Sequence, residues 1–127
     1  MAEVFDKFSK KVADVADNAK AKAKELYDLT KLKFELRKKE IDLDEHLEKL
    51  GRAYFVQVKK GIDNGGKIEA LVQKAEDISN EIYKLKKNIA DAQGKTICEH
   101  CTSIMDKEAP YCTNCGQKVV AEIKIEE

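Results

Sequence analysis

The chain has 127 residues, 38% of them charged and 6% aromatic, with one proline, no tryptophan and equal numbers of basic and acidic side chains, 24 of each. That profile points to long, solvent-bathed helices with one small module attached, and it argues against a sandwich or a doubly wound sheet. A neutral chain also lacks the long-range field that gathers nucleic acid or anionic lipid.

The first residues lack the uninterrupted apolar core and small-residue cleavage site of a secretory signal. The longest apolar run, Ala53 to Val56, falls far short of a membrane span. The expected setting is cytoplasmic, where thiols stay reduced.

Between residue 3 and about residue 60 there is no proline, and Gly51 is the only glycine. With heptad position a placed on Phe5, the apolar a and d residues are Phe5, Phe8, Val12, Val15, Ala19, Leu26, Leu29, Leu36, Leu43, Leu47, Leu50 and Tyr54. The polar exceptions are Lys22, Lys33, Glu40 and Gln57. Such regularity predicts one long amphipathic helix with a coiled-coil seam. His46 falls at a flanking g position and is expected in solvent. Gly51 costs the helix about 1 kcal/mol relative to alanine and marks either a close approach of another backbone or a tolerated kink.

Residues 61–66, Gly-Ile-Asp-Asn-Gly-Gly, break this helix: Gly61 suits a left-handed cap, and Asp63 or Asn64 suits a turn or a new N-cap. A second seam follows over 67–92, on Ile68, Leu71, Ala75, Ile78, Ile82, Leu85, Ile89 and Ala92, and Gly94 ends it. Two seamed helices joined by a short loop make an antiparallel hairpin. The shorter helix covers only the half of the longer one near the turn, from about Phe34 to Val58, and leaves residues 5–29 unpartnered. An uncovered apolar stripe of this kind self-associates, binds a partner helix, folds back or lies on a membrane.

From Lys95 the character changes. All four cysteines of the chain, Cys98, Cys101, Cys112 and Cys115, fall within residues 95–118 as two Cys-x-x-Cys pairs separated by ten residues. Each pair aims two thiolates at one point, and two pairs supply the four soft ligands of a structural Zn²⁺ site. Two disulfides would need an oxidising compartment, and a thioredoxin-like pair would need a βαβ setting. Iron in a rubredoxin-like site is the chemically closest alternative. His100, between two of the cysteines, is expected to be a solvated loop residue rather than a ligand. With four sulfurs the shell is closed, so the metal is a structural staple and no catalytic residue is expected. The piece holds too few apolar residues to fold unaided. Tyr111 is expected to pack on the metal knuckle. Beyond it, residues 119–127 alternate apolar and charged side chains like a strand.

Tyr111-Cys112-Thr113-Asn114-Cys115-Gly116 resembles the second half of the zinc-ribbon modules of many bacterial proteins. The first half departs, because Thr102 stands where such modules carry glycine. The whole chain resembles small bacterial zinc-ribbon-domain proteins with an N-terminal helical or coiled-coil region. Leu50-Gly51-Arg52-Ala53-Tyr54-Phe55 is similar to an Ile-Gly-Lys-Leu-Tyr-Tyr-like stretch of that group. In layout alone it is also similar to flagellar chaperone-like proteins, which join a coiled-coil hairpin to a ribbon and act by binding protein partners and sometimes RNA.

The expected architecture is therefore mainly α: a helical hairpin over 1–94, a four-cysteine zinc ribbon over 95–118 and a strand-like tail. The expected function is a non-enzymatic zinc-binding interaction or adaptor protein, self-associating or docking a protein partner through its coiled coil. Two alternatives are nucleic-acid binding through the ribbon and peripheral membrane association through residues 3–30. Against the first, Lys95, Lys107 and Lys118 are cancelled by Glu99, Asp106 and Glu108, and a tetrathiolate Zn²⁺ site is itself anionic. Against the second, the polar face of residues 3–30 is neutral, whereas interfacial helices carry a cationic one.

Overall fold

A computed structural model describes residues 2–119. The chain is a long helix α1 (Ala2–Lys60), a second helix α2 (Gly65–Ala92), and a small sheet of β1 (Thr96–Ile97) and β2 (Ile104–Met105). The strand-like tail expected at 119–127 lies outside the described residues apart from Val119.

Four residues join the helices. Gly61, at φ 63°, takes the left-handed conformation that closes α1 and donates its N–H to the Gln57 carbonyl at 3.0 Å. Gly65 and Gly66, expected in the turn, instead begin α2. Asn64 precedes it as N-cap residue without a side-chain cap; its side chain donates to the Ala53 carbonyl at 3.3 Å. The Asp63 carboxylate accepts from Gly65 N–H at 3.0 Å, satisfying one of the free donors at the helix start. The Gln57 side-chain oxygen accepts from Asn64 N–H at 3.2 Å, which gives this polar seam position a local role.

The helices pack antiparallel, and α2 buries the seam read from its sequence: Ala75, Ile78, Ile82 and Ile89 are fully buried. The buried side of α1 differs from the expected edge. Leu29, Leu36, Leu43 and Leu50 of the d column are partly buried, but their neighbours toward α2 are Leu32, Lys39, His46 and Ala53 of the g column. Apart from the half-buried Glu40 the a column stays outside, with Leu47 at 46% and Tyr54 at 59% exposure. Side-chain shape explains the rotation. Ala53, the one fully buried residue of α1, lets α2 come close where Tyr54 would hold it off. Lys39 lays its stem over the seam and bonds Glu81 of α2 at 2.5 Å, an ion pair that raises the lysine pKa. The expectation that His46 is solvated is thereby corrected. Its side chain is 13% exposed, and Nδ1 donates to the Asp42 carbonyl at 2.7 Å.

At the far end of α2 the chain turns directly into the ribbon. Gly94, at φ 66°, caps the helix, and Lys95 N–H donates to the Ala90 carbonyl at 2.8 Å. Both strands contact α2, and Lys86 reaches the Thr102 hydroxyl at 3.5 Å. Ile89 and Ala90, each 1% exposed, sit at this junction. Residues 2–28 of α1 are exposed throughout, including Phe5, Phe8, Val12, Val15 and Leu26.

Ile89→Ala empties the best-buried site of the fold and is expected to cost about 3 kcal/mol, the range for a buried isoleucine truncated to alanine. Val72→Ala, on the exposed side of α2, should cost less than about 1 kcal/mol. Urea unfolding followed by the helical circular-dichroism signal compares the two.

Candidate metal centre

The ribbon consists of two turns of the same construction. In the first, Cys98 N–H donates to the Ser103 carbonyl at 2.8 Å and Thr102 N–H donates to the Cys98 carbonyl at 2.9 Å. In the second, Cys112 N–H donates to the Gln117 carbonyl at 2.9 Å and Gly116 N–H donates to the Cys112 carbonyl at 2.9 Å. Each turn closes a short hairpin. The first joins β1 to β2 with Thr96 opposite Met105, and the second is tied by an isolated bridge between Tyr111 and Lys118. Each hairpin is bent around its own cysteine pair, and the ten-residue spacer connects the two.

Thr102 and Gly116 hold equivalent places and both have positive φ, 61° and 76°. Glycine takes that conformation freely, whereas a β-branched residue is strained in it. The departure from the ribbon pattern at Thr102 therefore changes the cost of the turn and leaves its geometry alike.

The two turns bring together all four predicted ligands. The sulfurs of Cys98, Cys101, Cys112 and Cys115 all lie within 4.8 Å of one another. The Cys98 and Cys115 sulfurs are 3.8 Å apart, and those of Cys101 and Cys112 are 3.6 Å apart. A regular tetrahedron of sulfurs about 2.3 Å from a central Zn²⁺ has edges of about 3.8 Å. The same spacings are far too long for disulfides, and all four cysteines are free. The donor set fits a tetrahedral thiophilic metal ion.

Backbone and amide donors surround the sulfurs. Asn114 N–H donates to the Cys112 sulfur at 3.4 Å, and the Asn114 side-chain amide donates to the Cys101 sulfur at 3.7 Å. Hydrogen bonds from Ser103 hold the Cys101 thiol down at about 5, against an ordinary 9.0. Backbone N–H groups of Cys115 and Asn114 lower Cys112 in the same direction. The Gln117 amide favours the Cys115 thiolate too. Burial and the neighbouring sulfurs of Cys101, Cys112 and Cys98 outweigh it and push that thiol up to about 12. Four sulfurs this close do not all ionise unaided; a divalent cation at their centre reverses the balance for the last of them.

The sulfurs also form the ribbon's core. Cys98, Cys112 and Met105 are buried, with Cys101, Ala109 and Val119 packed against them. Tyr111, expected on the knuckle, is 57% exposed, and Met105 fills that place instead. Alternation along β2 points Met105 inward, a signal too short to read from a two-residue strand. His100 is exposed and stands outside the cluster.

Comparison with protein-family models, curated proteins and solved structures returned no match. The site is therefore read from its own geometry.

Thr102→Gly relieves the strained turn and is expected to stabilise the metal-bound ribbon by about 1 kcal/mol, roughly fivefold in metal affinity by chelator competition. Acidification should release the metal. The low folded pKa of Cys101 contributes stability that is complete above its unfolded value near 9.0 and lost as pH falls through about 5. Cys112 acts in the same sense, and protons compete with the metal in that direction too. A zinc indicator should report retention at pH 7 and release below about pH 5.

Proposed function

We propose that this chain is a non-enzymatic, zinc-binding interaction protein. Its coiled coil self-associates or docks a protein partner, and its ribbon is a rigid second surface stapled by structural Zn²⁺. The sulfur tetrahedron carries the reading. Four thiolates at tetrahedral spacing complete the coordination shell, whereas a hydrolytic zinc keeps a position open for water. Zinc is favoured over iron because it takes four thiolates without redox chemistry, and a reducing cytosol keeps the ligands available.

The interaction half of the reading is supported by the helix beyond the hairpin. Phe5, Phe8, Val12 and Val15 are each more than half exposed, over a stretch that no other described element covers. Exposed apolar stripes of this extent mark association surfaces. Among the described residues no helix is long and apolar enough to cross a membrane.

Light scattering coupled to metal analysis, on the full chain and on one lacking residues 1–30, tests both halves. One zinc per chain is expected in each, with assembly lost in the truncated form. Reduced protein that binds no metal, or a bound ion with an exchangeable water ligand, would refute the structural-zinc reading. Assembly unaffected by truncation would refute the role of the overhang.

A further inference from the structure

Among the described residues the hairpin leaves a second edge of α1 uncovered, apolar or small toward both ends and charged in the middle at Lys33, Arg37, Glu40 and Asp44. Of the a column, Phe5, Val12 and Leu26 are exposed on the overhang, and Leu47 and Tyr54 remain exposed where α2 covers a different side. The adjoining e column is small at most positions: Ser9, Ala16, Ala23, Thr30 and Gly51 are all exposed. A Cβ built at Gly51 meets nothing within 4 Å. This edge lies roughly a quarter turn around α1 from the α2 contact, which leaves room for another helix.

We infer that this edge pairs with the same edge of a second copy of the chain, antiparallel, around a two-fold axis near residues 31 and 32. The inference rests on the interaction reading above and names the partner and the register. Three observations carry it. First, α1 spans Ala2–Lys60, so an antiparallel pair centred near residue 31 is flush at both ends and covers overhang and hairpin edges together. Second, in that register three large residues meet small ones: Val12 faces the partner's Gly51, Leu47 faces the partner's Ala16, and Tyr54 faces the partner's Ser9, while Phe5 meets the partner's Val58 and Leu26 the stem of the partner's Arg37. Large-on-small matching lets two helices approach closely. Third, charge selects the direction. A parallel pair through the same columns sets Lys33 beside the partner's Arg37 and Glu40 beside the partner's Asp44. The antiparallel pair sets Lys33 beside the partner's Thr30 and Glu40 beside the partner's Ala23, so its one like-charge approach is Lys33 to the partner's Lys33 across the axis. The greater number of like-charge approaches disfavours the parallel form. The contact is isologous, as a closed two-fold dimer requires.

The full-length zinc-loaded chain tests this with the photoreactive analogue p-benzoylphenylalanine in place of Tyr54. Cross-linked dimers should map by mass spectrometry to residues 5–13 of the other copy. Gly51→Leu supplies the second measurement. Leucine is the better helix former and has open space in the monomer. Helicity per chain should hold or rise while the dimer dissociation constant rises at least about tenfold, because the small position facing Val12 is filled. Cross-links to residues 50–58, or assembly without any cross-link from position 54, overturn this register and leave the interaction reading standing. Gly51→Leu protein that assembles like the parent also overturns the register. A full chain that stays monomeric at high concentration overturns the pairing altogether.

Discussion

Convergence of four sulfurs on one point is the constraint that the C-terminal module depends on. Residues 95–119 hold few apolar side chains, and three of the buried or nearly buried ones are the cysteines themselves. A module of that size has no hydrophobic core of its own to offset its conformational entropy. A metal ion held by the four sulfurs would supply what the core lacks, of order ~10 kcal/mol in comparable small modules. Without a cation the same convergence is unfavourable, because neighbouring sulfurs oppose the ionisation of Cys115. Folding of the ribbon and binding of a metal ion at this cluster would therefore be one equilibrium.

The helical half follows a different logic. Packing of α2 on α1 buries a narrow seam of isoleucine, leucine and alanine, and this seam reaches from Ala53 near the turn to Ile89 beside the ribbon. Docking of the strands against α2 at that end links the two halves, so the ribbon is a terminal block on the hairpin rather than a tethered bead. The consequence for function is geometric. The two strands contact α2 and neither contacts α1, so among the described elements only α2 lies against α1.

Much of this was legible in the residues alone. Proline-free heptads, the glycine-rich break at 61–66 and the paired cysteines each have one economical reading, because each is a local pattern with a local cause. Three features were not. The side of α1 that meets α2 depends on Ala53 being small and Lys39 reaching Glu81, a competition between two nearly equivalent edges that periodicity does not rank. Burial of His46 follows from that rotation. Exchange of Tyr111 for Met105 in the ribbon core depends on which way a two-residue strand faces, too short a run for alternation to show.

The sequence by itself determined which segments are helical, where the chain reverses and which four side chains can hold a metal ion, since helix period, glycine conformation and thiolate chemistry act over a few residues. Tertiary structure alone decided the rotation of α1 about its axis and the sulfur spacings of 3.6 and 3.8 Å. It also decided which edge of α1 α2 leaves uncovered. Those outcomes come from the mutual fit of segments distant in the chain, where close approach at an alanine or a reach across to a glutamate outweighs any local preference.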